Sequence, residues 1–124
     1  MRDHSKLKAF QLADELALLV YRATRSFPRE KLFGLTAQMR RAAVSLPSNI
    51  AEGYGRRRKG DYLRFLNIAL GSLCELETQM ILSTQLGFTD SDKAGPAMDL
   101  LREVDRILCG LIRAVRNSAS HGEG

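Results

Sequence analysis

Apolar residues recur at three- and four-residue spacing through four segments of this chain, and no strand-type alternation interrupts them. That period belongs to amphipathic helices. The first segment, from Ser5 to about Arg25, places Leu7, Phe10, Ala13, Leu16, Ala17, Val20 and Tyr21 on a common side. Ser26-Phe27-Pro28 ends it, because proline steers the preceding residue away from the helical region. The second, from about Leu32 to Gly53, aligns Leu35, Met39, Ala42, Ala43, Leu46, Ile50 and Tyr54. Pro47 lies inside it and predicts a kink, since it has no N–H to offer Ala43. The third runs from Asp61 to about Leu86 on Tyr62, Phe65, Leu66, Ala69, Leu73, Leu76, Met80 and Ile81, with Gly87 as its stop. After the turn-rich link GFTDSDKAGP, the fourth runs from Ala97 to about Arg116 on Leu100, Leu101, Val104, Ile107, Leu108, Leu111, Ile112 and Val115.

The fold class is therefore all-α. Three short links between helices of similar length predict an antiparallel up-down-up-down four-helix bundle over residues 1–117. The polar residues 118–124 read as a disordered tail. Ala9, Leu12, Leu18 and Leu19 widen the first apolar stripe beyond the needs of one core, which points to a second contact with another subunit.

Up-down topology makes a strong statement about charge. The second link, GYGRRRKG, falls at the same end of the bundle as both chain termini. Arg56, Arg57, Arg58, Lys59 and Arg64 are thus expected beside Lys6, Lys8 and Arg113, while the links at the other end carry mixed charges. Residues 1–60 hold 13 Lys and Arg against 5 Asp and Glu, and residues 61–124 hold 6 against 9, so the excess is concentrated in the first half. A basic pole of this kind fits RNA or DNA held through phosphates, which fixes position without reading bases. The competing reading is a solvated turn. Tyr54 and Tyr62 flank the link and are expected to pack at the core or its rim, with stacking on unpaired bases the alternative.

Other constellations point to structure rather than chemistry. Arg40, Arg41, Asn49 and Glu52 have the polarity of a network that fixes helix register, with Glu75 and Glu77 as further partners for the arginines. Cys74 and Cys109 stand apart on apolar patterns, without CxxC spacing, and are expected to be buried or half-buried free thiols rather than metal ligands. No GxGxxG, GxxxxGK[ST] or HExxH pattern occurs, so no cofactor and no enzymatic activity are expected. Arg116 and His121 share the R-x4-H spacing of the helical HEPN ribonucleases, a weaker alternative because it falls in the Ser- and Gly-containing tail. No apolar run reaches the roughly 20 residues of a membrane span. With MRDHSKLKAF lacking a hydrophobic signal core, a cytoplasmic location is expected.

The stretch FPREKLFGLTAQMRRAAVSLPSNIAEGYGR, followed by YLRFLNIALGSLCELETQ, resembles a family of small bacterial four-helix-bundle proteins. These are the 23S rRNA intervening sequence proteins, related to the accessory variability determinants of diversity-generating retroelements. The resemblance spans Leu7 to Phe88, including QMRRA, NIAEG and ALGSLCELETQ. It implies a homopentameric ring with a positively charged surface that meets RNA, DNA or a nucleic-acid enzyme such as a reverse transcriptase. At 56–60 this chain reads RRRKG, where related chains commonly place a Ser or Thr able to cap the third helix. The remaining alternative is a structural or protein-binding scaffold that holds no nucleic acid.

Overall fold

The computed structural model describes the backbone of residues 2–118 and the side chains from Lys6 onward. It contains α1 (Arg2–Thr24), α2 (Ala37–Tyr54), α3 (Lys59–Gln85) and α4 (Ser91–Arg116), with no strand among the described residues. Each helix packs against its neighbours in sequence, and α4 closes the ring against α1. Contacts between opposite ends fix the antiparallel sense. Lys6 at the start of α1 meets Tyr54 at the end of α2, and Arg40 near the start of α2 meets Thr24 at the end of α1. The expected up-down-up-down bundle is the observed one.

Local chemistry sets the ends of the elements. Gly87 adopts φ +81°, the left-handed conformation that closes α3 at little steric cost. The fourth helix starts earlier than the sequence pattern implies, at Ser91 rather than Ala97. Asp90 accepts the backbone N–H of Lys93 at 3.0 Å, and this cap outweighs the proline six residues later. The second segment also departs from expectation. After a 3-10 turn at Arg29–Lys31, a wide turn over Leu32–Thr36 bends at Gly34 (φ −107°, ψ −109°) before α2 begins.

Burial corrects the apolar stripe of α1. Ala9, Ala13, Leu16, Ala17 and Val20 enter the core, whereas Leu7, Phe10 and Tyr21 face outward with Leu18. Three alanines on the inner face let α1 approach its neighbours closely, so the larger side chains occupy a second, outer stripe. Tyr54 and Ile81, also assigned to core faces by periodicity, are exposed. The filled interior draws Leu46 and Ile50 from α2, Leu66, Leu73 and Leu76 from α3, and Leu101, Val104 and Leu108 from α4. Each such aliphatic side chain contributes about 1.5–3 kcal/mol on burial. At Gly53 the α2 and α3 backbones come close enough that a Cβ would lie 3.0 Å from the Tyr62 ring and 3.1 Å from Phe65 Cβ.

Candidate nucleic-acid interface

The basic run begins where α2 ends. Tyr54 closes that helix, Gly55 turns the chain, and Arg58 adopts an extended conformation (φ −83°, ψ 137°) immediately before α3. Arg58 supplies no side-chain cap, and Tyr62 N–H donates to its carbonyl at 3.0 Å as α3 starts. Asp61 in the first turn suits the positive end of the helix dipole. This link sits at the pole of the bundle that also carries the start of α1 and the end of α4. Lys59 Nζ donates to the Ser118 carbonyl at 2.7 Å, and Lys6 Nζ lies 4.0 Å from the Tyr54 ring centroid.

The cations gathered there are not equivalent. Arg57 and Arg58 are exposed and have no ion-pair partner among the described residues. Arg56 pairs with Glu52 one turn back on α2. Its guanidinium also lies 4.7 Å from the Phe65 ring centroid, and that of Arg64 lies 4.5 Å from the same ring. One half-buried aromatic side chain thus steadies two guanidinium groups and limits the rotamer freedom each would lose on binding. Arg113 and Arg116 are exposed in the last turn of α4.

Two expected contributors, Lys6 and Lys8, differ from the link arginines in their surroundings. Lys6 is buried, 4% exposed, with its ammonium between the rings of Tyr54 and Tyr62, the latter 5.1 Å away. It belongs to the packing of the pole rather than to its surface. Lys8 is exposed but faces α4, where its charge helps to hold the Glu103 carboxyl below the usual carboxylate range. The hydrogen bond from Arg106 is the larger cause of that shift. Of the two tyrosines, Tyr62 is fully buried and Tyr54 is more than half exposed.

The expected polar network is divided among separate places. Asn49 donates to the carbonyl and hydroxyl of Ser45, at 2.8 and 3.0 Å, rather than to Glu52, which is engaged with Arg56. Helical spacing explains both pairings, because each partner lies four residues away. Arg40 donates to Thr24 Oγ1 at 2.9 Å at the opposite pole, and Arg41 is exposed. Cys74 is exposed, contrary to expectation, because it lies on the outer face of α3; Cys109 is half-buried, and both are free thiols. Burial and the neighbouring Asp105 raise the Cys109 pKa above its ordinary value. Arg116 is described, but His121 lies outside the described residues, as do 119–124 of the expected tail.

A second surface runs beside the basic pole. The outer stripe of α1 (Leu7, Phe10, Leu18, Tyr21) and the outer face of α2 (Val44, Tyr54) border two grooves of about 210 and 410 Å³. Among the described residues, no helix is long and apolar enough to cross a membrane. No group of three or more His, Cys, Asp and Glu among them could hold a metal ion.

The model of the 23S rRNA-intervening sequence protein family matches residues 5–110. The chain belongs to this family. That match spans both poles of the bundle and most of the core. The fold is also similar to the crystal structure of a protein of unknown function from the S23 ribosomal protein family of Bacteroides thetaiotaomicron. The TM-score is 0.78 at 21% identity, over 90% of this chain and 97% of that one. No curated protein matches the chain. Sequence reasoning found the basic run and missed its Phe65 support. The signal was available, since Phe65 and Arg64 follow the run on the first turns of α3, but apolar spacing assigned Phe65 to the core.

Proposed function

We propose that this protein is a non-enzymatic nucleic-acid-binding subunit. Copies associate through the outer apolar face of α1 and α2 into a ring, five by family resemblance, and each presents its basic pole to RNA or DNA phosphates. One observation carries the reading. Arg57 and Arg58 lie exposed on the link at the pole shared with the first turns of α3, which carry Arg64, and the last turn of α4, which carries Arg113 and Arg116, and the only ion pair among these and their link neighbours joins Arg56 to Glu52 within the described residues. Unpaired guanidinium groups bind phosphate with release of condensed counterions, and several copies in a ring multiply the apparent affinity. The exposed Leu18 and Val44 support assembly, because aliphatic side chains gathered along a groove gain by being covered.

The test is salt-dependent binding of a labelled duplex by the full chain. Arg57→Gln with Arg58→Gln is expected to weaken binding of every sequence and to flatten the slope of log K against log salt by about 0.9 per lost contact. Affinity and slope equal to wild type would remove the proposal. Assembly is checked separately by light scattering, where Leu18→Glu with Val44→Glu is expected to yield monomers. Wild-type protein that is monomeric at tens of micromolar would count against the ring.

A further inference from the structure

The pole opposite the basic link holds an unexpected convergence of arginines. Arg25 leaves the end of α1, Arg29 opens the 3-10 turn, and Arg40 lies one turn into α2. All three line a cavity of about 170 Å³ walled on its apolar side by Phe27 and Leu32. None of them forms an ion pair with a carboxylate among the described residues. Glu30, the acidic neighbour in sequence, is exposed and engages none of them.

The inner wall of the cavity is formed by side chains held in place, while its rim is open to solvent. Arg40 is half-buried and held from two sides, by donating through Nε to Thr24 Oγ1 at 2.9 Å and by lying 4.8 Å from the Tyr21 ring centroid. Nε is thereby used, and the two terminal nitrogens of the guanidinium keep their donors. Thr36 also lines the cavity; it is 2% exposed, and its hydroxyl has no hydrogen-bond partner among the described residues. The irregular turns between Arg29 and Thr36 bring these groups together, since a regular helix through this segment would carry them apart.

We propose that this cavity is a phosphoryl-group site, distinct from the basic pole. Three cations without acids, one of them fixed at the inner wall with its terminal nitrogens undonated, suit a compact tetrahedral dianion. The fork of Arg40 meets two of its oxygens, while Arg25 and Arg29 close over it from the rim. The phosphoryl group could be free phosphate or the terminal phosphate of a nucleic-acid strand, which share this chemistry.

Inorganic phosphate is titrated into the full-length protein by calorimetry and thermal unfolding, against chloride at matched ionic strength. Saturable binding and a rise in melting temperature are expected with phosphate only. Arg40→Met keeps the stem against Tyr21 and removes the guanidinium, and is expected to weaken phosphate at least tenfold. Arg25→Gln with Arg29→Gln alters only the rim and is expected to do the same, should Arg40→Met fail to fold. Arg57→Gln with Arg58→Gln at the other pole is expected to leave phosphate binding intact, so this site is judged separately from the nucleic-acid proposal. Paired oligonucleotides with 5′-phosphate or 5′-hydroxyl ends identify the source. Competition only by the phosphorylated strand assigns a strand end, and equal competition assigns free phosphate. A phosphate response no larger than that of chloride, or one unchanged in both variants of the cavity, overturns the proposal.

Discussion

Gly53→Ala and Gly71→Ala should move stability in opposite directions, although both add one methyl group to a helix. Replacing glycine by alanine in a helix interior gains about 1 kcal/mol from backbone entropy. At Gly71 nothing lies within 4 Å of the added Cβ, so α3 should keep most of that gain. At Gly53 the new Cβ would sit 3.0 Å from Tyr62 Cδ1 and 3.1 Å from Phe65 Cβ. Those separations fall about 0.5 Å short of the optimum for two carbons. Neither neighbour can yield cheaply. Tyr62 is completely buried, and the Cβ of Phe65 moves only with the backbone of α3. Overpacking of this kind costs about 1–3 kcal/mol. Subtracting the helix gain leaves Gly53→Ala about 1 kcal/mol less stable than wild type, and roughly 2 kcal/mol below Gly71→Ala. Urea unfolding followed by far-UV circular dichroism, at one protein concentration so that any self-association is held constant, measures both. A Gly53→Ala protein as stable as Gly71→Ala would show that α2 and α3 do not approach this closely.

Lys6→Met should lower stability by about 1–2 kcal/mol through loss of its cation–π contacts. It should leave duplex affinity within twofold of wild type, because the ammonium lies beneath Tyr54 and Tyr62. A large loss of affinity with unchanged stability would return Lys6 to the binding surface. Glu52→Gln releases Arg56 from its carboxylate and should tighten duplex binding about threefold, read as a steeper salt dependence; weaker binding would mean that Glu52 orients Arg56 productively. Cys109 should alkylate more slowly at pH 8 than an unperturbed thiol, because burial and then Asp105 favour its neutral form. The raised pKa means that its contribution to folding is present below the ordinary thiol pKa and fades as pH climbs through the folded value. Asp105→Asn should speed the alkylation, and an unchanged rate would assign the shift to burial alone.

Periodicity and punctuation made the helices, their order and the shared pole of link and chain ends legible in the sequence, because each depends on local chemistry. What they could not show was which of two apolar stripes on α1 faces inward. Size is a poor guide when helices pack closely. Ala9, Ala13 and Ala17 take the interior because they are small, and Phe10, Leu18 and Tyr21 are left outside. Lys6 continues the inner stripe one turn before Ala9, yet a charged residue does not register as core unless its aromatic partners on α2 and α3 are known. The expected network around Asn49 and Glu52 divides for a similar reason. A candidate partner three residues away is plausible in sequence, but competing partners at Ser45 and Arg56 lie four residues away and win. Within the basic link, residue identity was readable, whereas the neutralisation of Arg56 and the support from Phe65 depend on side-chain placement.

The half-chain charge asymmetry suggests one basic pole, but counting carboxylate partners rather than charges yields two. Arg25, Arg29 and Arg40 belong to the strongly basic first half, yet they gather at the far end of the bundle from Arg57 and Arg58. The 27 residues of α3 bridge the two poles, a length of about 40 Å. Screening at physiological salt acts over about 8 Å, so neither cluster feels the other's charge directly. Substitutions at the two poles should therefore combine additively, within about 0.5 kcal/mol, in phosphate and in nucleic-acid binding alike. Strong coupling in the combined variant would require a single strand running along the bundle between the poles. In that case the 5′-phosphorylated strand should lose affinity when either pole is neutralised, while inorganic phosphate should respond only to the arginines of the cavity.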